Sequence, residues 1–450
     1  MTKILNFFKS LSFTQTLIFG YSMLILVSAF LLMLPISSRA SAFTPLNDCV
    51  FTTTSALSGT GLTLYDTYTH WSLFGQLVIL IVIQVGGIGF MSMAIFALSF
   101  TSKKIGLKQR ATMRESVSAL KGAGIVKMTR FILKGTIIVE LAGTGLLSVF
   151  FIPKCGILRG VYFALFHSIS AFCTAGIDLM GYFEPNSSLM TATSSWIFNL
   201  TIMVLLTIGG IGYLTWDDVV ENKWHFKKYR LQSKLVIIIS VLFYIIGVLE
   251  MVLVEWNGAL GHVDGTANKL LISSLFVTSG RSAGFTPIDV STLKPATVLM
   301  IIFFMFIGGA PGSTACGIKV TTFAVMILTI SSVFKKKKSI ECFGRRIDDA
   351  TVRNASCVTT MYILVVTITA ILISAIDDME ITPVVFEIVS AISSIGLSTG
   401  ITTQLSDFSC ALITIVMFFG RIGGLSFIVS LSGAQSGGKS SLPEEKIMVG

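Results

Sequence analysis

Eight long apolar runs recur along the chain, near 16–35, 72–100, 131–152, 196–216, 235–255, 297–333, 358–376 and 410–432. At 1.5 Å per residue, each is long enough to cross about 30 Å of hydrocarbon. Between the members of each pair lies a shorter stretch of small and apolar residues that cannot cross and that ends in a turn of Ser, Thr and Gly. Such stretches read as re-entrant segments. The four inserts align: Ser55 to Leu62 (SALSGTGL), Ser170 to Ile177 (SAFCTAGI), Thr278 to Phe285 (TSGRSAGF) and Ser390 to Leu397 (SAISSIGL). Each ends in glycine plus a large apolar residue, and the aligned glycines lie 115, 108 and 112 residues apart. The pattern predicts one unit of span, re-entrant loop and span used four times, over 1–100, 101–216, 217–333 and 334–432, with 433–450 as a tail.

Non-helical backbone at membrane depth survives only where protein buries it or it lines a wet path, because hydrocarbon offers its N–H and C=O groups no partner. Two spans per unit insert all four copies in the same orientation. They can then be related by an axis along the membrane normal. The expected fold class is an all-α membrane protein, its four repeats of helix, re-entrant pore loop and helix set pseudo-fourfold around one pore. A carbonyl filter needs glycine where the chain turns its oxygens inward and neighbouring strands approach closely. The loops read as versions of the T-V-G part of the potassium-channel filter: Gly59-Thr60-Gly61, Thr174-Ala175-Gly176, Ser282-Ala283-Gly284 and Ser394-Ile395-Gly396, with K⁺ held at their carbonyls. None continues with Tyr-Gly, so fewer ordered sites and looser discrimination than in a tetrameric potassium channel are expected. A second glycine cluster follows each loop: Gly86-Gly87-Ile88-Gly89, Gly209-Gly210-Ile211-Gly212, Gly308-Gly309-Ala310-Pro311-Gly312 and Gly420-Arg421-Ile422-Gly423-Gly424. The first two read as close helix packing through small residues.

Composition agrees with a polytopic membrane protein: 53% hydrophobic and 12% charged residues, with mean hydropathy +0.83. The net charge of +10 does not point to nucleic acid, because the basic residues sit in short stretches between apolar runs. With a cytoplasmic amino terminus, that terminus, the segments near 101–130, 217–234 and 334–353, and the tail hold 24 of the 33 Lys and Arg. Arg39, Lys154, Arg159, Lys269 and Lys294 lie opposite, and this bias puts both termini inside. Lys335 to Lys338 then reads as a topology signal in reach of anionic membrane lipids. Seven scattered cysteines lack a CxxC pair, and four histidines form no ligand pattern, so a metal centre or a membrane enzyme is disfavoured. Gly433 to Ser440 matches G-x-x-x-x-G-K-S, but no strand precedes it and ten residues follow, so it reads as a flexible lead into the tail and the chain binds no cofactor of its own.

Lys134, Arg281, Lys319 and Arg421 fall at membrane depth. The sixth run is broken by Gly308, Gly309, Pro311, Gly312, Ser313, Thr314 and Gly317 ahead of Lys319. This stretch makes poor helix and reads as a flexible loop under the filter. Arg421 in the last run is expected to project into the cavity below the filter, where its charge and bulk oppose cations until the loop moves. The other reading is a structural ion pair, with Glu140 or Glu250 as partner. Arg281, three residues before Gly284, reads as a tie from its pore helix to a neighbouring carboxylate.

The motifs SALSGTGLT, HSISAFCTAGID, SGRSAGF, SSIGLSTG, GGAPGSTACGIKVTT and FFGRIGG resemble those of the Ktr/Trk/HKT superfamily of potassium transporters, most closely its KtrB-type membrane subunits, and the likeness covers essentially the whole chain. The resemblance implies K⁺ uptake across the bacterial cell membrane, often with Na⁺ dependence. It also implies a homodimer with one pore per subunit, seated on a cytosolic ring of KtrA-type nucleotide-binding regulators. It places an intramembrane gate at the broken sixth span and points the same way for Arg421. The competing readings are an alternating-access cation symporter, whose inverted repeats would need an odd number of spans per unit, and a poorly selective cation pore.

Overall fold

The computed structural model describes residues 13–89, 125–223, 225–337 and 339–424. The Gly433 to Ser440 motif, the end of the second apolar run and most of the basic 101–130 segment lie outside the described residues. The first quarter of the chain carries α1 (Phe13–Met33), α2 (Leu46–Ser58) and α3 (Leu73–Ile88). The second carries α4 (Ile125–Cys155), α5 (Ile157–Phe172), α6 (Trp196–Gly210) and α7 (Tyr213–Asn222). The third carries α8 (Leu231–Glu255), α9 (Thr266–Ser279), α10 (Pro295–Phe306) and α11 (Val320–Phe334). After an antiparallel hairpin of β1 (Ile340–Cys342) and β2 (Arg345–Ile347) come α12 (Asp349–Asp377), α13 (Ile381–Ser393) and α14 (Asp407–Ile422).

The long helices and the short ones divide the labour. α1, α4, α8 and α12 are long and apolar enough to cross a membrane, yet only 22% to 33% of their apolar windows is buried inside the protein. Their outward faces are bare hydrocarbon: Leu253 is 72% exposed and Ile138 67%. In water that would be a severe aggregation hazard; against lipid it has no cost. α2, α5, α9 and α13 have 13 to 16 residues. At about 20–24 Å they cannot cross. They are buried instead, every residue from Phe51 to Ser58 and from Phe386 to Ser393 being enclosed.

The helices that follow these short elements are cut shorter than the apolar runs that encode them. α3, α6 and α14 have 16, 15 and 16 residues and meet a glycine at positive φ: Gly89 (+92°), Gly212 (+86°) and Gly423 (+83°). The runs near 72–100, 196–216 and 410–432 are therefore not single straight spans within the described residues. A left-handed residue ends the α-helical hydrogen-bond series, and glycine alone adopts it without strain. At Ile211-Gly212 the chain bends by 98° from α6 into α7. The run near 297–333 is divided into α10 and α11 by irregular backbone over 307–319, where four glycines and Pro311 do not sustain a helix.

The opening glycine of three clusters has a second task. A Cβ at Gly86 would strike the carbonyl of Leu57, at Gly209 that of Phe172, and at Gly420 that of Ile392. Each of those carbonyls belongs to the residue four before the loop glycine, so three helices lie directly on the last turn of a buried short helix. Gly308 departs from this pattern and packs on the Cys316 carbonyl of its own irregular stretch. The buried apolar clusters also cross quarter boundaries. The cluster around the first two quarters takes in Ala283 and Phe285, that around the third takes in Ile395 and Leu397, and that around the fourth takes in Phe51 and Leu62. Each loop is thus gripped partly by a neighbouring quarter.

Gly86→Ala is expected to destabilise the protein by about 1–3 kcal/mol, because backbone rather than a movable side chain stands in the way. Gly145, in α4, has open space around it. Gly145→Ala is expected to be neutral or to stabilise by up to ~1 kcal/mol through helix propensity. Thermal denaturation of the two variants in detergent, followed by size-exclusion, checks the contrast.

Candidate functional site

Each buried short helix delivers its chain into a loop, and three of the four deliveries share one geometry. The amide before the loop glycine donates to the carbonyl five residues upstream: Thr60 to Ser55 (2.9 Å), Ala175 to Ser170 (2.8 Å) and Ile395 to Ser390 (2.9 Å). Two residues before the loop glycine the backbone is left-handed in each: Gly59 at φ +73°, Thr174 at +53° and Ser394 at +52°. For Thr174 and Ser394 that conformation costs on the order of 1 kcal/mol or more. Thr174 is held there by its hydroxyl, which donates to the Cys173 carbonyl (2.7 Å) and lies 3.2 Å from Thr314 Oγ1. The third loop closes one residue tighter. The amides of Ala283 and Gly284 both donate to the Ser279 carbonyl, at 2.9 and 3.2 Å.

All four loop glycines have positive φ: Gly61 +87°, Gly176 +70°, Gly284 +68° and Gly396 +88°. Their surroundings form a closed series. A Cβ on Gly61 would run into the Ala175 carbonyl, on Gly176 into that of Ala283, on Gly284 into that of Ile395, and on Gly396 into that of Thr60. Each loop is met by the next in chain order and the fourth is met by the first. The carbonyls involved are those immediately preceding the glycines, so Thr60, Ala175, Ala283 and Ile395 each bring an oxygen to a neighbour's main chain. Backbone alone lines these approaches.

The irregular stretch 307–319 finds its backbone partners at the bend between α6 and α7. The amides of Ala310 and Thr314 donate to the carbonyls of Gly210 (3.1 Å) and Gly209 (3.3 Å), and the amide of Tyr213 donates to that of Gly312 (2.9 Å). Thr314 reaches the second loop through its hydroxyl, which donates to the Phe172 carbonyl at 3.3 Å. Ser313 Oγ donates to the Ala310 carbonyl (2.7 Å), and Lys319 Nζ donates to that of Ala315 (2.7 Å). Gly309, Pro311 and Gly317 lie in the same stretch, with Gly317 at φ +79° against Ser393 of the fourth short helix. A cavity of about 480 Å³ opens beside it, lined by Arg421, Lys319, Ser313, Cys316 and Tyr21 among others.

Among the described residues Arg421 pairs with no carboxylate. Its Nη1 donates to the carbonyls of Thr314 (2.8 Å) and Ser58 (3.3 Å) and lies 3.4 Å from Cys316 Sγ, while Nη2 donates to the Gly86 carbonyl. Ser58 ends α2 and Gly86 lies in the last turn of α3, where the helix dipole is negative; the Gly86 carbonyl also accepts from the Gly89 amide at 3.2 Å. A guanidinium with five donors suits several such carbonyls at once. Neither acid considered as its partner takes that place. Glu140 accepts from Gln84 Nε2, and Glu250 accepts from Thr297 Oγ1 (3.0 Å). The expected tie from Arg281 to a carboxylate is likewise replaced: Nη1 donates to the Ser240 carbonyl at 3.3 Å and the guanidinium lies 5.3 Å from the Phe243 ring centroid. Among the described residues the ion pairs join Arg230 to Asp217 and Asp218, Lys337 to Glu341, and Arg346 to Asp349, away from the loops.

Sequence reasoning singled out Thr174, Thr314 and Arg421 as site residues but gave no such role to Ser58, Gly86 (read as helix packing) and Cys316, which complete the contacts of Arg421. The first two act through main-chain oxygens, which carry no residue signature. Cys316 and Gln84 are polarisable or polar side chains inside apolar surroundings, and that is the one signal that could have marked them.

Comparison with known proteins identifies the family. The TrkH model, a cation transport protein family, matches residues 7–440. The chain is 33% identical over 98% of its length to the potassium/sodium uptake protein NtpJ of Enterococcus hirae, covering 98% of that protein. It is 34% identical over 93% of its length to the Ktr system potassium uptake protein B of Bacillus subtilis, covering 92% of it. Among solved structures, the potassium transporter TrkH from Vibrio parahaemolyticus shares the fold, with a TM-score of 0.67 over 92% of this chain and 85% of that one at 17% identity. A family model matching nearly the whole chain and relatives named for uptake rather than catalysis lead to one assignment: the chain belongs to the TrkH/Ktr family of cation transport proteins and is a transporter, not an enzyme.

Proposed function

We propose that this chain is the ion-translocating subunit of a K⁺ uptake system, with its four loops set pseudo-fourfold around one pore and the carbonyls of residues 59–61, 174–176, 282–284 and 394–396 as the K⁺ filter. The observation that carries this reading is the closed series of glycine-to-carbonyl approaches from Gly61 through Gly396 and back to Thr60. Four chains of backbone can meet head to side in this way only around a common axis, and backbone oxygens are the ligands that replace a cation's water. The stretch from Gly308 to Lys319 is the gate, held closed by Arg421. Its support is that one guanidinium spans the first quarter at Ser58 and Gly86, the stretch itself at Thr314, and the fourth quarter from which it comes. Lys319 and Arg421 line the cavity together, so a cation crossing it meets two positive groups until the stretch moves.

The relatives' names supply the wider assignment. One is a lettered component of a Ktr system and another is named for both potassium and sodium. On that basis the chain works with other subunits and Na⁺ takes part in uptake; the motif resemblance supports a homodimer in the bacterial plasma membrane under a cytosolic nucleotide-binding subunit, and the Lys and Arg bias supports cytoplasmic termini.

Gly284→Ser is expected to lower apparent affinity for Rb⁺ by about tenfold or more, ~1.4 kcal/mol, while Na⁺ entry falls less, because the added side chain meets the Ile395 carbonyl. Uptake of both ions in cells lacking other K⁺ systems checks it, and an equal loss for both ions counts against a filter. Arg421→Ala is expected to raise Rb⁺ flux in the unstimulated protein by several-fold, since two or three carbonyl contacts worth about 1 kcal/mol or more each are lost from the closed state. Flux into proteoliposomes with and without the regulator measures this, and unchanged flux and regulation in a correctly inserted variant would rule out the gate role.

A further inference from the structure

Glu140 is a buried carboxylate, 5% exposed, in the middle of a long membrane helix. The proposed gate and filter make no use of it. Its side chain faces Gln84 of α3, whose Nε2 stands 3.0 Å from each carboxylate oxygen. The third member of the cluster is Cys173, whose Sγ lies 3.6 Å from Gln84 Oε1 and 3.9 Å from Glu140 Oε1. Cys173 immediately precedes the left-handed Thr174, the first residue of the second loop, and its side chain is pressed against Gly87, where any Cβ would displace it. The main chain of Glu140 adds a second hold on the same short helix: Ser168 Oγ of α5 donates to the Glu140 carbonyl at 2.7 Å. Glu140 thus grips α5 at Ser168 by its backbone and at Cys173 by its side chain, and Gln84 fastens both to the preceding quarter.

We propose that Glu140 is a positioning residue for the second filter loop, acting with Gln84 through Cys173 to hold Thr174 in its left-handed conformation. The proposal rests on the reading of residues 174–176 as part of a K⁺ filter. Thr174 has positive φ without being glycine, so its conformation must be imposed by its surroundings. Its hydroxyl contacts hold it from the Thr314 side. Cys173 is the covalent neighbour on the other side, and the Glu140–Gln84 pair fixes where that neighbour sits. Buried polar clusters of this kind specify one arrangement because every alternative leaves a donor or acceptor without a partner. An ion-selective loop needs that uniqueness more than it needs added stability, since discrimination between ions follows from where the carbonyls sit.

The test compares Glu140→Ala, Glu140→Gln, Gln84→Leu and Cys173→Ala in the full-length protein, measuring Rb⁺ and Na⁺ uptake per folded molecule in proteoliposomes. Glutamine keeps an oxygen for the Gln84 amide in the same volume, so Glu140→Gln is expected to keep the Rb⁺/Na⁺ ratio near that of the parent. Glu140→Ala is expected to lower it by about fivefold, the worth of one buried hydrogen bond. Adding Gln84→Leu to Glu140→Ala should lower the ratio little further, because both act through one cluster. A role in folding alone predicts less folded protein with the ratio unchanged in every variant, and that outcome overturns the proposal, as does an equal loss in Glu140→Ala and Glu140→Gln. Where Glu140→Ala does not fold, the milder Gln84→Leu and Cys173→Ala carry the same comparison, and a parental ratio in both overturns it. Gly284→Ser, measured alongside, separates the two levels. If it leaves the ratio intact, the filter reading fails; if it collapses the ratio while the Glu140 series does not, only the positioning role fails.

Discussion

The structure depends on four places where one main chain approaches another too closely for any side chain. At Gly61, Gly176, Gly284 and Gly396 the neighbour is a carbonyl, and the absence of a Cβ is what lets the loops touch. Everything outward of those contacts serves to hold them. The short helices must be buried because they bear the loops. The glycines at 86, 209 and 420 then let the following helices lie on their last turns, and the long apolar helices separate the assembly from lipid. This ordering explains why polar and irregular backbone is concentrated at the centre while hydrocarbon covers the outside, the reverse of a water-soluble domain.

Buried short helices end in carbonyls without helical donors, and apolar surroundings supply none. Arg421 is a solution to that problem as well as a charge: it takes up Ser58, Gly86 and Thr314, oxygens from three separate segments. The desolvation that would make a lone buried cation untenable is offset by several oriented dipoles rather than by a counter-ion. Such an arrangement differs from a salt bridge in an important way. The oxygens belong to main chain that can shift as loops do, so the interaction can be surrendered in parts, whereas breaking an ion pair strands two charges.

Much of this plan was legible in the chain, for reasons that can be stated. The loop glycines stand out because a demand for positive φ restricts residue type and because they recur at nearly constant spacing. Arg421 stands out because a charge in an apolar run is expensive. What was not legible is the identity of the atoms each one meets. Glu140 was a reasonable partner for Arg421 on charge alone, but it is Gln84 of α3 that lies within its reach. The first two glycine clusters read as packing features; they and the fourth are also helix stops, since the first glycine of each is helical and a later one (Gly89, Gly212, Gly423) has positive φ. The tighter turn of the third loop leaves no mark in TSGRSAGF that distinguishes it from its counterparts. The hairpin of β1 and β2, turning at Phe343 and Gly344 with positive φ at both, hides in a basic segment because strands of three residues are too short to show alternation.

All four loops lie on one polypeptide, and this has a consequence for how such a molecule can change over generations. In an assembly of four identical chains, one codon alters every quadrant together, so a mild substitution is felt four times and a severe one is lethal at once. Here a codon reaches one quadrant. The third loop closes differently and the helix after it is broken, while its three companions share one form. A chain that carries all four loops can therefore explore one of them at a time, while the contacts among the other three are kept.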